Sequence, residues 1–401
     1  MGCDVELGCT TASNDDVNDL VSSMGDVSKT VQIDGGSACD GIVAAELSVF
    51  HYRSFEAFAL QLDPGVTVLV GHNAVGKTNL VEALQLLTAG VSFRRPAPVE
   101  LLREGCPSGR AMLRLMGEGR LLDHAIEVEE GKRRFIKNGK NTNAAGIRGV
   151  LPSVLFCPDH LDMVKRSASA RRAALDSFGV QLNAQYGKLL SAYERTVEQR
   201  NNLLKECPSV DLLEVWDESL ARTGAALLMH RRALLERIRA RFIEVYQAIA
   251  PHEVPDVAYQ ASIGVLPDDR DEVLELFLRV LRERREEELR RGLTLVGPHR
   301  DEVVFTIDGR PARDFGSQGQ QRSIVLAWKI AEVQVTRDIL GRYPLLLLDD
   351  VMSELDADRR NAIMGFIADE IQTVITTTNL GYFSQDVLDR AKVVRIGAEE
   401  R

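Results

Sequence analysis

Two short motifs far apart in the chain have to meet in space, and that requirement constrains the fold more than any other feature. The first is Gly71-His72-Asn73-Ala74-Val75-Gly76-Lys77-Thr78. It follows a β-branched run, Val66 to Val70, and opens Thr78 to Leu87, where leucines and alanine recur at helical spacing. A glycine loop between a strand and a helix can wrap phosphates in successive backbone N–H groups, with the helix's positive end aimed at them. Gly71 and Gly76 permit close approach, Lys77 suits terminal phosphates, and the Thr78 hydroxyl suits Mg²⁺. The second motif, Leu345-Leu346-Leu347-Leu348-Asp349-Asp350, comes about 270 residues later. It reads as a buried parallel strand delivering two carboxylates at its C-terminal end. Asp349 then shares the Mg²⁺ with Thr78, and Asp350 is placed to orient or deprotonate a water. The expected class is α/β, with ATP as the nucleotide and a nucleotide domain interrupted by a long insertion.

A third motif precedes the acidic strand. Ser317-Gln318-Gly319-Gln320-Gln321-Arg322 is a polar turn opening the apolar run Ser323 to Ala331. Ser317 and Gly319 can present a hydroxyl and an N–H to a phosphate, although a plain capped helix has the same appearance. Asp356 reads either as a helix cap or as an interface contact. Residues 1–44 are rich in Ser, Gly, Asp and Asn without apolar periodicity and read as a mobile acidic tail. Residues 45–167 read as the first part of the nucleotide domain, largely strands. Residues 168–291 carry helical patterns and read as an inserted lobe, and 292–401 complete the nucleotide domain.

Charge bears on partners. The net charge of −10 argues against bulk non-specific nucleic-acid binding. Residues 1–45 contribute −7 of it, however, so a basic groove elsewhere is compatible with the total. No long uncharged apolar run suggests a membrane span, and the N-terminus lacks a secretory pattern. Six dispersed cysteines without close pairing read as free thiols of a reducing cytoplasm. The seven histidines are also dispersed, and no metal cluster stands outside the nucleotide site.

Together these motifs resemble the ABC-type ATPases related to chromosome-maintenance and double-strand-break repair proteins, and more narrowly the RecF family of bacterial replication and repair proteins. Further strings carry the narrower resemblance: Leu47 to Phe55, Ser92-Phe93-Arg94-Arg95, Phe156 to Leu161, Arg171 to Asp176, Glu198 to Lys205, Gly297-Pro298-His299-Arg300-Asp301, and Asp349 to Asp356. The resemblance implies an ABC-ATPase-type domain split by a helical lobe. It implies a homodimer made on ATP, in which Ser317, Gly319 and Gln320 act in trans on nucleotide held by Lys77 and Thr78. Many ABC ATPases carry Asp-Glu where this chain has Asp349-Asp350, so the shorter Asp350 implies slow hydrolysis that works as a timer. Where a switch histidine is common, this chain has Thr376-Thr377-Thr378-Asn379.

The resemblance also implies ATP-dependent binding of gapped or single-strand/double-strand junction DNA in the damage (SOS) response. The partner proteins would be RecR, with RecO and the RecA recombinase in the same pathway. Candidate DNA contacts are Arg94 and Arg95; Lys132, Arg133, Arg134 and Lys137; and Lys165, Arg166, Arg171 and Arg172. Each cluster reads equally as a solvated face. Aromatic residues are only 5% of the chain, which favours duplex-backbone contacts over base stacking. A structural DNA tether and a transporter ATPase subunit share the nucleotide motifs. The insertion is short for a tether and unneeded in a transporter subunit.

Overall fold

The computed structural model describes residues 41–397 except 118, 207, 208, 368 and 369. Nearly all of the acidic tail, with Cys3, Cys9 and Cys39, lies outside the described residues. Cys106 and Cys157 are free thiols.

The chain begins with β1 (Val43–Tyr52), β2 (Phe55–Gln61), β3 (Val66–Val70) and α1 (Lys77–Ala89). A run of strands follows: β4 (Ser108–Gly117), β5 (Arg120–Glu129), β6 (Lys132–Lys137) and β7 (Lys140–Thr142). Next come α2 (Ala144–Ile147), β8 (Ser153–Phe156) and α3 (Pro158–Leu161). Long helices then dominate: α4 (Ala168–Leu182), α5 (Ala184–Lys205), α6 (Val210–Ile249) and, after β9 (Pro255–Gln260), α7 (Arg270–Arg291). The remainder is β10 (Glu302–Ile307), β11 (Arg310–Pro311), α8 (Ala312–Phe315), α9 (Gln318–Leu340), β12 (Leu345–Asp349), α10 (Ala357–Phe366), β13 (Thr373–Thr377), α11 (Gln385–Arg390) and β14 (Lys392–Arg395).

Among the described residues the strands form three sheets. The five-stranded parallel sheet has the order β14-β3-β13-β12-β8, and an antiparallel sheet has the order β2-β1-β4-β5-β6-β7. The small third sheet, β11-β10-β9, lets a strand inside the helical stretch pair with one beyond it, which helical periodicity alone did not indicate. Helix α1 is buried on most of its circumference, as its Leu- and Ala-rich sequence requires. Leu80, Leu84 and Leu87 share one core with Leu47 and Leu113 of the antiparallel sheet and with Leu69 and Leu347 of the parallel sheet. On the other face of the parallel sheet, Leu346, Leu348 and Ile375 pack with Ile324 to Val335 of α9 and with Ile238 and Phe242 of α6. Helix α6 has 40 residues and spans about 60 Å. Its first half joins a separate core with Tyr193 of α5 and Phe277 of α7. One continuous helix thus belongs to both the nucleotide layer and the helical lobe.

Candidate functional site: a phosphate loop facing an acidic strand end

The parallel sheet brings the two distant motifs together. Leu69, Thr376 and Asp349 lie in register on β3, β13 and β12. The C-terminal ends of these strands form the crevice where open α/β sheets take ligands. The loop leaving β3 has no room for side chains at its glycines. A Cβ at Gly71 would lie 2.5 Å from the Ile396 carbonyl oxygen, and one at Gly76 would lie 2.6 Å from Ser54 Oγ. Gly76 also has φ 103°. It precedes α1 with no side-chain cap, and no acidic residue occupies the helix's first turn. The helix therefore keeps unsatisfied N–H groups and its positive end for an anion. His72, Asn73 and Ala74 are exposed, and Val75 is half-buried.

Lys77 is buried, and its Nζ donates to the carbonyls of Gly71 at 2.7 Å and His72 at 2.8 Å. Desolvation lowers its pKa, opposed by the nearby Asp350 and Asp349. Asp349, 3% exposed, accepts from Thr376 Oγ1 at 2.8 Å and from Thr78 Oγ1 at 3.0 Å, both on Oδ1. Burial raises its pKa against those two hydrogen bonds. Asp350 has φ 53°, and its N–H donates to Thr376 Oγ1 at 2.9 Å. Its Oδ1 is buried without a hydrogen-bond partner. Burial raises this carboxyl's pKa too, with Lys77 opposing.

This donor set fits Mg²⁺. The ion keeps waters and phosphate oxygens and needs only one or two protein oxygens, here the Thr78 hydroxyl and the Asp349 carboxylate. Among the described residues, no group of three His, Cys, Asp or Glu could hold a metal on its own. Thr376, named in the sequence only as part of a threonine run, is the bridge between the two acids.

The third motif is a capped helix start. Ser317 Oγ accepts from the Gln320 N–H at 3.2 Å, and Gln320 Oε1 accepts from the Ser317 N–H at 2.8 Å. The Ser317 hydroxyl proton remains available to an acceptor. Arg359 ties this turn to α10: its Nη2 donates to the Gly319 carbonyl at 2.9 Å, and it pairs with Asp356, which caps the helix through the Arg359 N–H at 3.0 Å. Sequence reasoning passed over Arg359, since nothing local marks it as the link.

The strings peculiar to the narrower resemblance are mostly packing. His299 Nε2 faces the Thr294 carbonyl at 3.1 Å, and Nδ1 faces Tyr193 Oη at 2.7 Å. A carbonyl only accepts, so Nε2 carries the proton and the tyrosine donates to Nδ1. Arg231 links Asp176 to the Pro298 carbonyl. Arg200 is fully buried and reaches Asp217 and Glu288, each at 2.7 Å, and Thr294 at 2.9 Å.

The basic candidates separate. Arg171 is buried and leaves the set of candidate DNA contacts. It pairs with Glu302 at 2.7 Å and donates to the carbonyls of Met163, Val164 and Arg166. Arg172 is half-buried and donates to the Asp301 carbonyl. Arg95, Arg166 and Arg172 line one cleft of about 1030 Å³, together with Arg148 and Lys329. Lys165 is exposed beside it in sequence. Lys132, Arg133 and Arg134 are exposed on β6, with Arg134 paired to Glu129, and Lys137 donates to the Gly146 carbonyl. Arg94 is directed to α1, donating to Asn79 Oδ1 at 2.8 Å.

A split parallel sheet with this loop, this acidic strand end and a capped signature turn defines an ABC-type ATPase domain. The RecF/RecN/SMC N terminal domain family matches residues 43–399. The DNA replication and repair protein RecF of Heliobacterium modesticaldum is 38% identical over 365 residues, 89% of this chain and 97% of that protein. RecF of Gloeobacter violaceus is 37% identical, covering 87% and 96%. A solved structure of the recombination mediator protein RecF with ATP, in the RecFOR pathway, superposes with a TM-score of 0.81 at 29% identity, covering 88% and 96%. An Smc head domain from Pyrococcus furiosus shares the fold, with a TM-score of 0.51 at 14% identity over 84% and 90%. The chain belongs to the RecF family.

Proposed function

We propose that this chain is an ATP-dependent DNA-binding protein of replication and recombinational repair, dimerising on ATP at gapped DNA or single-strand/double-strand junctions. Lys77 binds the terminal phosphates, within the loop from Gly71 to Thr78. Thr78 and Asp349 hold Mg²⁺, which neutralises phosphate charge. Asp350 orients the attacking water or takes its proton, and its short side chain makes hydrolysis slow. Ser317, Gly319 and Gln320 of a second copy close over the nucleotide, with Asp356 in the same interface. The ATP-bound dimer engages DNA phosphates through basic groups that include Arg95, Arg166 and Arg172. It directs RecR, with RecO and RecA, to the lesion. The lobes act as 45–167 with 292–401 for nucleotide and 168–291 as the helical insertion.

One observation carries this reading. The Thr78 and Thr376 hydroxyls meet on Asp349 at 3.0 and 2.8 Å, while Asp350 keeps a buried carboxylate oxygen without a partner. Such an arrangement is costly unless a ligand uses it. The names of the relatives, and the solved RecF with ATP, support the same reading. Sedimentation with non-hydrolysable ATP, with and without gapped duplex, tests it. The wild type is expected to dimerise on ATP, and Ser317→Arg to bind ATP as a monomer. A Ser317→Arg dimer equal to wild type would remove the signature turn from the interface.

A further inference from the structure

The signature turn depends on a residue outside its own motif. Gln320 stands at the third position of α9, and its side-chain amide is used at both ends. Its Oε1 accepts from the Ser317 N–H at 2.8 Å, and its Nε2 donates to Glu253 Oε1 at 3.0 Å. Glu253 lies 67 residues earlier, in the turn between α6 and β9. An amide can face the Ser317 N–H with either end, and only the oxygen end makes the bond. A carboxylate offers acceptors alone, so Glu253 admits only the nitrogen end. The amide is thereby fixed with its oxygen on Ser317, as a capping box requires.

Glu253 is itself held in place. Its Oε2 accepts from Tyr246 Oη, and Tyr246 is fully buried in the core that α6 shares with α9. Burial and the neighbouring Glu253 raise the phenol's pKa, so it stays a donor. The Glu253 N–H donates to the Ala250 carbonyl at 3.2 Å. The next residue, Val254, donates to Asp308 Oδ1 at 2.9 Å and accepts from the Asp308 N–H at 2.8 Å. The consequence falls on Ser317. Its N–H is taken by Gln320 Oε1, and its Oγ accepts from the Gln320 N–H at 3.2 Å. What the turn has left to offer is the Ser317 hydroxyl proton and the N–H groups of Gln318 and Gly319. Those two lie in the first turn of α9, where helix geometry supplies no partner.

We propose that Glu253 is a positioning residue for ATP-driven dimerisation: by fixing the Gln320 amide it holds Ser317 and Gly319 in the arrangement that meets the triphosphate on a second copy of this chain. Tyr246 fixes Glu253 in turn. This rests on the trans role of the signature turn proposed above. Gln320 then acts across the interface through Ser317, its side chain being used within its own subunit. Without Glu253 the amide can turn over, present its NH₂ group to the Ser317 N–H and open the cap. The loss then falls on association and not on the nucleotide affinity of a single subunit, whose own phosphate loop is built from other residues.

The test uses the full chain and reads two equilibria. The first is the Kd for a fluorescent ATP analogue with Mg²⁺, at protein concentrations too low for association. The second is the dimer dissociation constant in sedimentation with non-hydrolysable ATP. Glu253→Ala is expected to weaken the dimer about ten- to a hundredfold, since each dimer carries two such turns, and to leave the monomer's ATP affinity unchanged. Tyr246→Phe should weaken it less, about threefold. Gln320→Glu sets two carboxylates face to face and should weaken the dimer as much as Glu253→Ala. Combining Gln320→Glu with Glu253→Gln reverses donor and acceptor and keeps every hydrogen bond. The new carboxylate at 320 still accepts from the Ser317 N–H, and the new amide at 253 donates to it while accepting from Tyr246. This exchange should dimerise within about threefold of wild type, a recovery that a merely structural role would not produce. If Glu253→Ala does not fold, Gln320→Glu and the exchange still decide. Wild-type dimerisation in Glu253→Ala, or an exchange no better than Gln320→Glu alone, would overturn the proposal. A Ser317→Arg dimer equal to wild type would instead remove the interface on which it rests.

Discussion

The nucleotide crevice and the helical lobe both bury charged groups, and they treat them in opposite ways. Around Arg200 in the helical lobe the valences are filled, while Arg285 Nε nearby is buried without a hydrogen-bond partner. Arg200 is met by Asp217, Glu288 and Thr294, and Glu288 also accepts from the Leu295 N–H at 2.7 Å. In the crevice they are left open. Asp350 keeps an unpartnered oxygen, Lys77 lies on carbonyls of its own loop, and α1 starts without a cap. Both regions have distinctive strings in the sequence, so distinctiveness does not separate a ligand site from a packing site. What separates these two sites is how far the buried polar groups around Arg200 and around Asp350 are satisfied.

The contrast is sharpened first by pairing two substitutions. Arg200→Ala leaves Glu288 buried without its cation and Asp217 with Arg285 alone, and a loss of about 3–5 kcal/mol in urea unfolding is expected. Lys77→Ala should change folding stability by less than about 1 kcal/mol, since its resting partners are loop carbonyls that water can serve. It should nevertheless weaken ATP about a hundredfold in equilibrium titration. If Lys77→Ala unfolds the protein as Arg200→Ala does, the two regions do not differ as described.

Arg171 extends the comparison to the clusters read as DNA contacts. Its carboxylate partner Glu302 is 131 residues away in sequence. Arg171→Ala is expected to cost about 3 kcal/mol through the unpaired carboxylate and to leave the salt slope of DNA binding unchanged. Arg166→Ala, at an exposed residue of the cleft, should lower that slope by about 0.9 with little change in stability. The reverse pattern would return Arg171 to the groove.

That pair also explains what the sequence made legible. The phosphate loop is eight consecutive residues, so its chemistry can be read without the fold. Asp349 could be read because a strand end imposes its own direction. The strands, α1 and the long helices were legible because apolar periodicity is local. Arg359 was not, because it acts through a partner in another element. Arg171 and Arg166 look alike in sequence, and only the fold sends one inward. The pairing of β9 with β10 was hidden for the same reason, being made across the whole of α7.

His299 tests the filled region by pH. Burial, with Arg300, Arg172 and Arg231 nearby, pushes its pKa down to about 4, against the Thr294 carbonyl. The unfolded side chain takes its proton near pH 6.5, so the folded state binds fewer protons below that pH. Its contribution is therefore complete above pH 6.5 and is lost as the pH falls toward about 4, by up to about 3 kcal/mol. Unfolding free energies of wild type and His299→Gln should converge over that window. Parallel curves would show that the imidazole is not kept neutral by its surroundings.

The smallest stability change belongs to the open region and has the opposite sign. Asp350 stands in a place that disfavours its charged form, since burial raises its pKa and Lys77 only partly opposes this. A carboxyl whose folded pKa is raised destabilises the fold above that pKa, and the penalty disappears as the pH falls and it protonates. Asp350→Asn removes the charge while keeping the size. A slight rise in unfolding free energy at neutral pH is expected, fading toward acid pH as the wild-type carboxyl takes up its proton. The same variant should hydrolyse ATP more slowly in single turnover with ATP affinity little changed, because the amide cannot accept a proton from water. The two measurements answer different questions about one atom. Greater stability with unimpaired hydrolysis would leave Asp350 a strained residue without catalytic use. Slower hydrolysis without the stability gain would mean that the crevice does not disfavour its charge. Both effects together identify a carboxylate whose position serves the reaction at the expense of the fold.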